Sequence, residues 1–198
     1  MDNKPTAPKS FDSSALAAQV KRSGADGLPP VNSWSPEISG DIDLVVDRQG
    51  QWHHEGVLFE REALAKLFAS ILRKDGDEYF VLTPVEKWRI QVEDVPFLIT
   101  EMELKEPGPQ QRIELLTSLG DRFYVDAEHP LWLTTDQLSG EPSPYVRVRD
   151  RLDGLLSRSV FYRLAELLQS QQVDGHERLG VLSCGQFFVL DDAPEPAA

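Results

Sequence analysis

The chain has 198 residues, 33 of them acidic and 20 basic, for a formal net charge of −13 and a pI near 4.7. That balance excludes a general grip on DNA or RNA, which needs a basic face to displace counterions, and argues against an anionic membrane surface. Hydrophobic residues make up 40%, enough for a sizeable core, and a single cysteine, Cys184, excludes an internal disulfide or a cysteine-cluster metal site.

In chain order, residues 1–27 read as a disordered or weakly helical arm: Asp12-Ser13-Ser14 offers a helix N-cap, and Gly24 follows ALAAQVKR as a stop. The first ten residues hold no apolar run and no stretch is long enough to cross a membrane as a helix, so a cytoplasmic location is expected. Leu28-Pro29-Pro30 forces extended backbone, with Trp34 expected to dock the arm. Alternation over 41–47 and the segment WHHEGV predict two strands around a turn at Gln49-Gly50-Gln51. Glu60 to Arg73 reads as a helix with the apolar stripe Leu64, Leu67, Phe68, Ile71 and Leu72. Strands follow near 79–83, 86–92, 96–104, 111–117, 122–125, 131–135 and 145–149. A helix over 158–170 and a hairpin of 179–183 with 187–190 around Gly185 close the fold, with 191–198 as a disordered tail. Cys184, among apolar strand residues, is expected to be a buried, inert thiol.

An internal repeat shows in this order. Arg61-x-x-Leu64-x-x-Leu67 is echoed by Arg158-x-x-Phe161-x-x-Leu164, Trp52 by Tyr145, and YFVL at 79–82 by FFVL at 187–190. The expected class is therefore α+β: two similar lobes of mainly antiparallel sheet, each with a helix, spanning 28–95 and 96–190.

The densest chemistry is a run of arginines in this acidic chain. In the strand Tyr145-Val146-Arg147-Val148-Arg149, period-two alternation puts Arg147 and Arg149 on one face. Two guanidinium forks side by side match a phosphate or a carboxylate pair, and Arg158 at the next helix start adds a third cation. The competing reading pairs them internally with acids such as Asp150 and Asp153. Glu86 and Asp94, in Thr83–Phe97, stand either at the rim of such a site or simply at a strand corner. Asp41 and Asp43 resemble the acidic strand of nucleotidyltransferases, but Pro29-Pro30 and Pro36 occupy the region where that family needs a helix. His53-His54 are adjacent instead of four apart, and no phosphate-binding or nucleophile motif is present, so neither a metal, a cofactor nor a catalytic residue is expected.

GDIDLVVDRQGQWHHEG, then LAKLFASILRKD, TPVEKWRIQVEDVPF and PYVRVRDRLDGLLSRSVFYRL together resemble the bacterial family "domain of unknown function 1285", over about Leu28 to Leu190. The resemblance implies a duplicated α+β protein whose C-terminal half is similar to pleckstrin-homology folds. It also implies a ligand, nucleotide-like, held between the halves, and a context in signal transduction. On it, an anionic small molecule is expected to meet Arg147 and Arg149, supported by Arg158 and its counterpart Arg61. Trp52 or Tyr145 is expected to stack on a ring, and Glu86 or Asp94 to accept hydrogen bonds. The alternatives are a protein-interaction module using strand edges and a phosphate-ester hydrolase, an enzyme being the less favoured.

Overall fold

The computed structural model describes residues 28–135 and 140–191. The helix expected after Asp12 and the tail from 192 lie outside them. The chain divides into two units: one runs to Asp47 and from Gln51 to Glu93, and the other takes Arg48–Gly50 and everything from Asp94.

In the N-terminal unit, β1 (Ile38–Val46), β2 (Trp52–His54) and β3 (Val57–Leu58) form an antiparallel meander. β4 (Leu72–Asp75), β5 (Glu78–Leu82) and β6 (Lys87–Val92) form another. β1 and β6 lie side by side in parallel, so the sheet order is β3-β2-β1-β6-β5-β4. The C-terminal unit repeats this wiring. Its strands are β7 (Phe97–Lys105), β8 (Arg112–Thr117), β9 (Arg122–Tyr124), β10 (Leu131–Thr135), β11 (Pro142–Arg149) and β12 (Leu152–Leu156). They run β10-β11-β12-β7-β8-β9, again two meanders joined through a parallel pair of first and last strands. Numbered from its own first strand and read from the other edge, this is the order of the first sheet.

The duplication is present, but in a different phase from the sequence echo. Helix α1 (Glu62–Ser70) links the two meanders of the first unit, whereas α2 (Arg158–Ala165) follows the last strand of the second. Arg61 and Arg158 therefore do not occupy equivalent positions. By strand order the counterpart of β5, which holds YFVL, is the arginine strand β11, while FFVL falls in a third sheet. That sheet, of β13 (Gln169–Val173), β14 (His176–Ser183) and β15 (Gln186–Val189), belongs to the C-terminal unit.

Both helices are shorter than their apolar patterns suggest. α1 stops at Ser70, and Leu72 enters β4, because a short apolar run fits either period until a partner strand decides it. The face that is buried is Ala65, Phe68 and Ala69, with Leu64 and Leu67 only half-buried. α2 is capped by Ser157, whose Oγ accepts from the Val160 amide, and it ends at Ala165, a short turn before Gln169 starts β13. β12 has no sequence signal of its own. Its Gly154 is needed because a Cβ there would sit 3.0 Å from Val148 Cγ2 and 3.1 Å from Ile99 Cδ1.

Tight turns set the hairpin registers. Glu55-Gly56, Asp174-Gly175 and Cys184-Gly185 each place two residues at positive φ between paired strands. This geometry matches the strand twist. Cys184 is thus a half-buried turn residue, not a strand-interior thiol. Its amide donates to the Gln111 carbonyl at 3.0 Å, and the Ile113 amide donates to Ser183 Oγ at 2.9 Å, which ties the third sheet to β8. Asp191, expected to open the tail, instead accepts from Arg178 Nε at 2.7 Å and the Leu179 amide at 3.0 Å.

One side chain of β4 reaches the entering chain. Arg73 makes a bidentate pair with Asp75 at 2.8 Å and donates through Nη1 to the carbonyls of Val31 (3.0 Å) and Trp34 (2.7 Å).

Candidate functional site

Within β11, burial alternates as expected: Pro144, Val146 and Val148 are buried while Tyr145, Arg147 and Arg149 are half-buried. Each of the three polar side chains is already engaged. Arg147 lies directly across from Asp153 on β12, and its Nε donates to the buried Asp153 carboxylate while Nη1 reaches the Asp150 carbonyl at 3.1 Å. Arg149 donates to Asp121 at 2.9 Å and its guanidinium stacks 4.8 Å over the Phe97 ring. Asp121 is itself fixed, accepting from Thr117 Oγ1 at 3.1 Å and donating its amide back to that oxygen at 3.0 Å. Internal carboxylates therefore engage both forks: Asp153, which the sequence offered as a competitor, and Asp121, which it did not single out.

Tyr145 Oη donates to the two carboxylate oxygens of Asp94 at 3.2 and 3.1 Å, and its ring stacks on Trp132, 6.0 Å between centroids. Burial, together with the facing Asp94 charge, pushes the phenol up to about 12. Asp94 is therefore a hydrogen-bond acceptor inside the fold, as a strand-corner residue. Arg158, by contrast, is exposed at the first position of α2, and among the described residues it has no carboxylate partner.

In the N-terminal unit, Trp52 is only 1% exposed and packs in a three-ring cluster with Phe59 (6.5 Å) and Phe68 (6.2 Å), which also meet each other at 5.6 Å. It offers no face to a ligand ring, which corrects the expected stacking role. Glu86 closes a turn in which its amide donates to Thr83 Oγ1 at 3.0 Å and its carbonyl accepts from the Thr83 amide at 2.9 Å. Asp41 pairs with Arg89 at 3.0 Å and His53 with Asp47 at 2.9 Å. Among the described residues no group of three or more His, Cys, Asp or Glu could hold a metal ion.

Arg61 is different. It sits at the N-cap of α1, exposed, with no carboxylate partner among the described residues, and it lines a recess of about 270 Å³. The other walls are His54, Val57, Leu58, Phe59, Glu60 and Leu64. The type I′ turn at Glu55-Gly56 folds β3 back on β2, and this sets the exposed Val57 and Leu58 beside the helix start. The Arg61 side chain does not cap the helix, and its carbonyl accepts the first helical bond from Leu64 at 2.8 Å, so the foremost helix amides point toward this end. An anion with an apolar body fits such a lining: the cation and the helix end hold the charge, and the aliphatic wall covers the rest. The sequence named Arg61 for a site between the halves, with Arg147 and Arg149, and named none of the apolar wall of this recess. The signal available was the pair Val57-Leu58, apolar residues on a two-residue strand too short to bury them.

A second recess, about 300 Å³, lies on the C-terminal unit among Thr100, Glu101, Glu103, Glu114, Arg122 and Arg163. Its central carboxylate, Glu114, is taken by Arg122 at 2.6 Å, which holds it below the usual carboxylate range.

Residues 29–95 match the family described as "Domain of unknown function (DUF1285), N-terminal domain", and 96–190 match "Protein of unknown function (DUF1285), C-terminal domain". The chain belongs to the DUF1285 family. A crystal structure of a DUF1285 family protein from Silicibacter pomeroyi DSS-3 is 37% identical, with a TM-score of 0.78 over 88% of this chain and 93% of that one. Another, from Shewanella baltica OS155, is 34% identical, with a TM-score of 0.50 over 62% of this chain and 90% of its own. No curated protein matches this DUF1285 chain.

Proposed function

We propose that the protein is a ligand-sensing module that binds a small anionic molecule in the recess at the start of α1, with Arg61 as the charge anchor. The observation that carries this reading is that Arg61, among the described residues, both lacks a carboxylate partner and lines a cavity. Arg147 and Arg149 are spoken for by Asp153 and Asp121. Val57, Leu58, Phe59 and Leu64 favour a ligand with an apolar or aromatic body, a nucleotide base or an aryl or alkyl carboxylate. Binding there would bias the β2–β3 hairpin against the helix, a local change suited to signalling.

A thermal-shift screen of nucleotides, aryl carboxylates and alkyl phosphates tests the reading. A true ligand at about 100 times its Kd stabilises by about 2.7 kcal/mol, a rise of about 5–10 °C for a chain of this size. The shift is expected to vanish in Arg61→Ala and to persist in Arg158→Ala. No shift from any anion, or one that survives Arg61→Ala, removes this site.

A further inference from the structure

β13 is the edge of its sheet, with β14 as its one neighbour among the described residues. Its first four residues, Gln169, Ser170, Gln171 and Gln172, are all exposed. Natural edge strands are usually blunted by lysine, proline or a bulge. This one carries none of these: it reads QSQQV, and its register with β14 is unbroken over five pairs.

Which backbone groups face outward follows from the turn. Asp174 and Gly175 have φ of 51° and 80° between the partners Val173 and His176, a two-residue type I′ hairpin. The residues flanking such a turn exchange both hydrogen bonds, and bonded and non-bonded pairs then alternate. Val173, Gln171 and Gln169 therefore bond to β14, while the N–H and C=O of Ser170 and Gln172 point away from the sheet. Those two residues lie symmetrically about Gln171.

That symmetry names the occupant. We propose that β13 pairs antiparallel with β13 of a second copy of this chain, around a two-fold axis at Gln171, joining two three-stranded sheets into one of six. Ser170 of each copy exchanges both backbone bonds with Gln172 of the other, four bonds in all. Gln171 faces its own counterpart as a neutral pair. Charge points the same way. Two copies each carrying −13 repel across most surfaces, and a strand of five residues without a charge is where they can approach. The exposed Leu179, cross-strand from Ser170, and the exposed Leu168 add apolar surface beside the junction.

Sedimentation of the full chain at micromolar to millimolar concentration tests this. A dimer is expected. Ser170→Pro removes an outward N–H without touching a bond to β14, and proline is tolerated at such edge positions. With two bonds lost per dimer, the dissociation constant should rise about tenfold or more. Gln171→Lys, which sets two cations face to face, should do the same and covers the case in which the proline variant misfolds. In a Cys184→Ser background, Gln171→Cys should form an intermolecular disulfide on mild oxidation, because a non-bonded antiparallel pair stands about 4.5 Å apart at Cα, within disulfide reach. A chain monomeric throughout that range, a dimer unaffected by Gln171→Lys, or a dimer that does not cross-link through Gln171→Cys overturns the proposal. A dimer lost in both edge variants and cross-linked through Gln171→Cys supports it.

Discussion

Arg147 shows how a residue read correctly in sequence can change meaning in the fold. Its place on a strand face with Tyr145 and Arg149 follows from the period of two, and the structure keeps that alternation. The partner that decides its role, Asp153, sits on a strand without a clear pattern, and Asp121, the partner of Arg149, arrives from β8–β9 some 28 positions away. The Arg147–Asp153 pair is mostly buried, with side-chain exposures of 17% and 8%, so removing one member strands the other charge. Asp153→Asn is expected to cost about 3 kcal/mol in a urea titration, and Arg147→Met combined with Asp153→Leu to recover most of that loss. A small effect of Asp153→Asn would mean that the arginine is held more loosely and is available to an external anion.

At the scale of elements, strands with clean alternation or aromatic content were legible, and β10 falls where the sequence predicts it, at 131–135. What failed were the ends of the helices and two strands, β12 and β13. In LFASILRKD the apolar spacing suits a helix and a strand alike, and pairing with β5 settles it for a strand from Leu72. QSQQV is polar throughout, and β14 alone makes it a strand. Two glycines of the third sheet separate the local from the tertiary. Gly175 is a turn glycine at φ 80° with open space around it, so Gly175→Ala should cost about 1 kcal/mol from backbone strain. Gly180 has an ordinary backbone, yet a Cβ there would stand 2.1 Å from the Phe188 carbonyl oxygen. Main-chain atoms cannot swing aside, so Gly180→Ala should cost about 3 kcal/mol or more. Thermal denaturation of the two variants ranks them, and equal losses would refute the close approach of β14 and β15.

For the whole molecule, charge is the dominant long-range quantity. Among the described residues, three carboxyls are held below their usual range. At Asp75 burial pushes upward and the Arg73 and Lys87 pairs outweigh it. At Glu114 the Arg122 hydrogen bond leads, and at Asp191 burial is overcome by the Leu179 amide and Arg178. A lowered carboxyl contributes stability that is complete above its unfolded value of about 4 and is lost as the pH falls through its folded value. Self-repulsion from −13 works in the opposite sense and relaxes as the first carboxylates protonate. The melting temperature should therefore peak at about pH 5–6 and drop steeply below about pH 4, with a shallower acid limb in Asp75→Asn. A melting temperature that climbs steadily to pH 3 would contradict the pairing at Asp75.

The sequence by itself determined the acidic surface, the two α+β halves, most strands and the family, because net charge, period and long motifs are properties of the chain alone. Only the tertiary structure decided the phase of the duplication, since strand order depends on which edges meet. It alone showed Trp52 as core and Arg147 and Arg149 as internal ion pairs, because burial and partners come from segments distant in the chain. It alone brought Arg61 to a cavity and left β13 as an open edge, because a recess or an unpaired strand exists only once the neighbouring elements are in place.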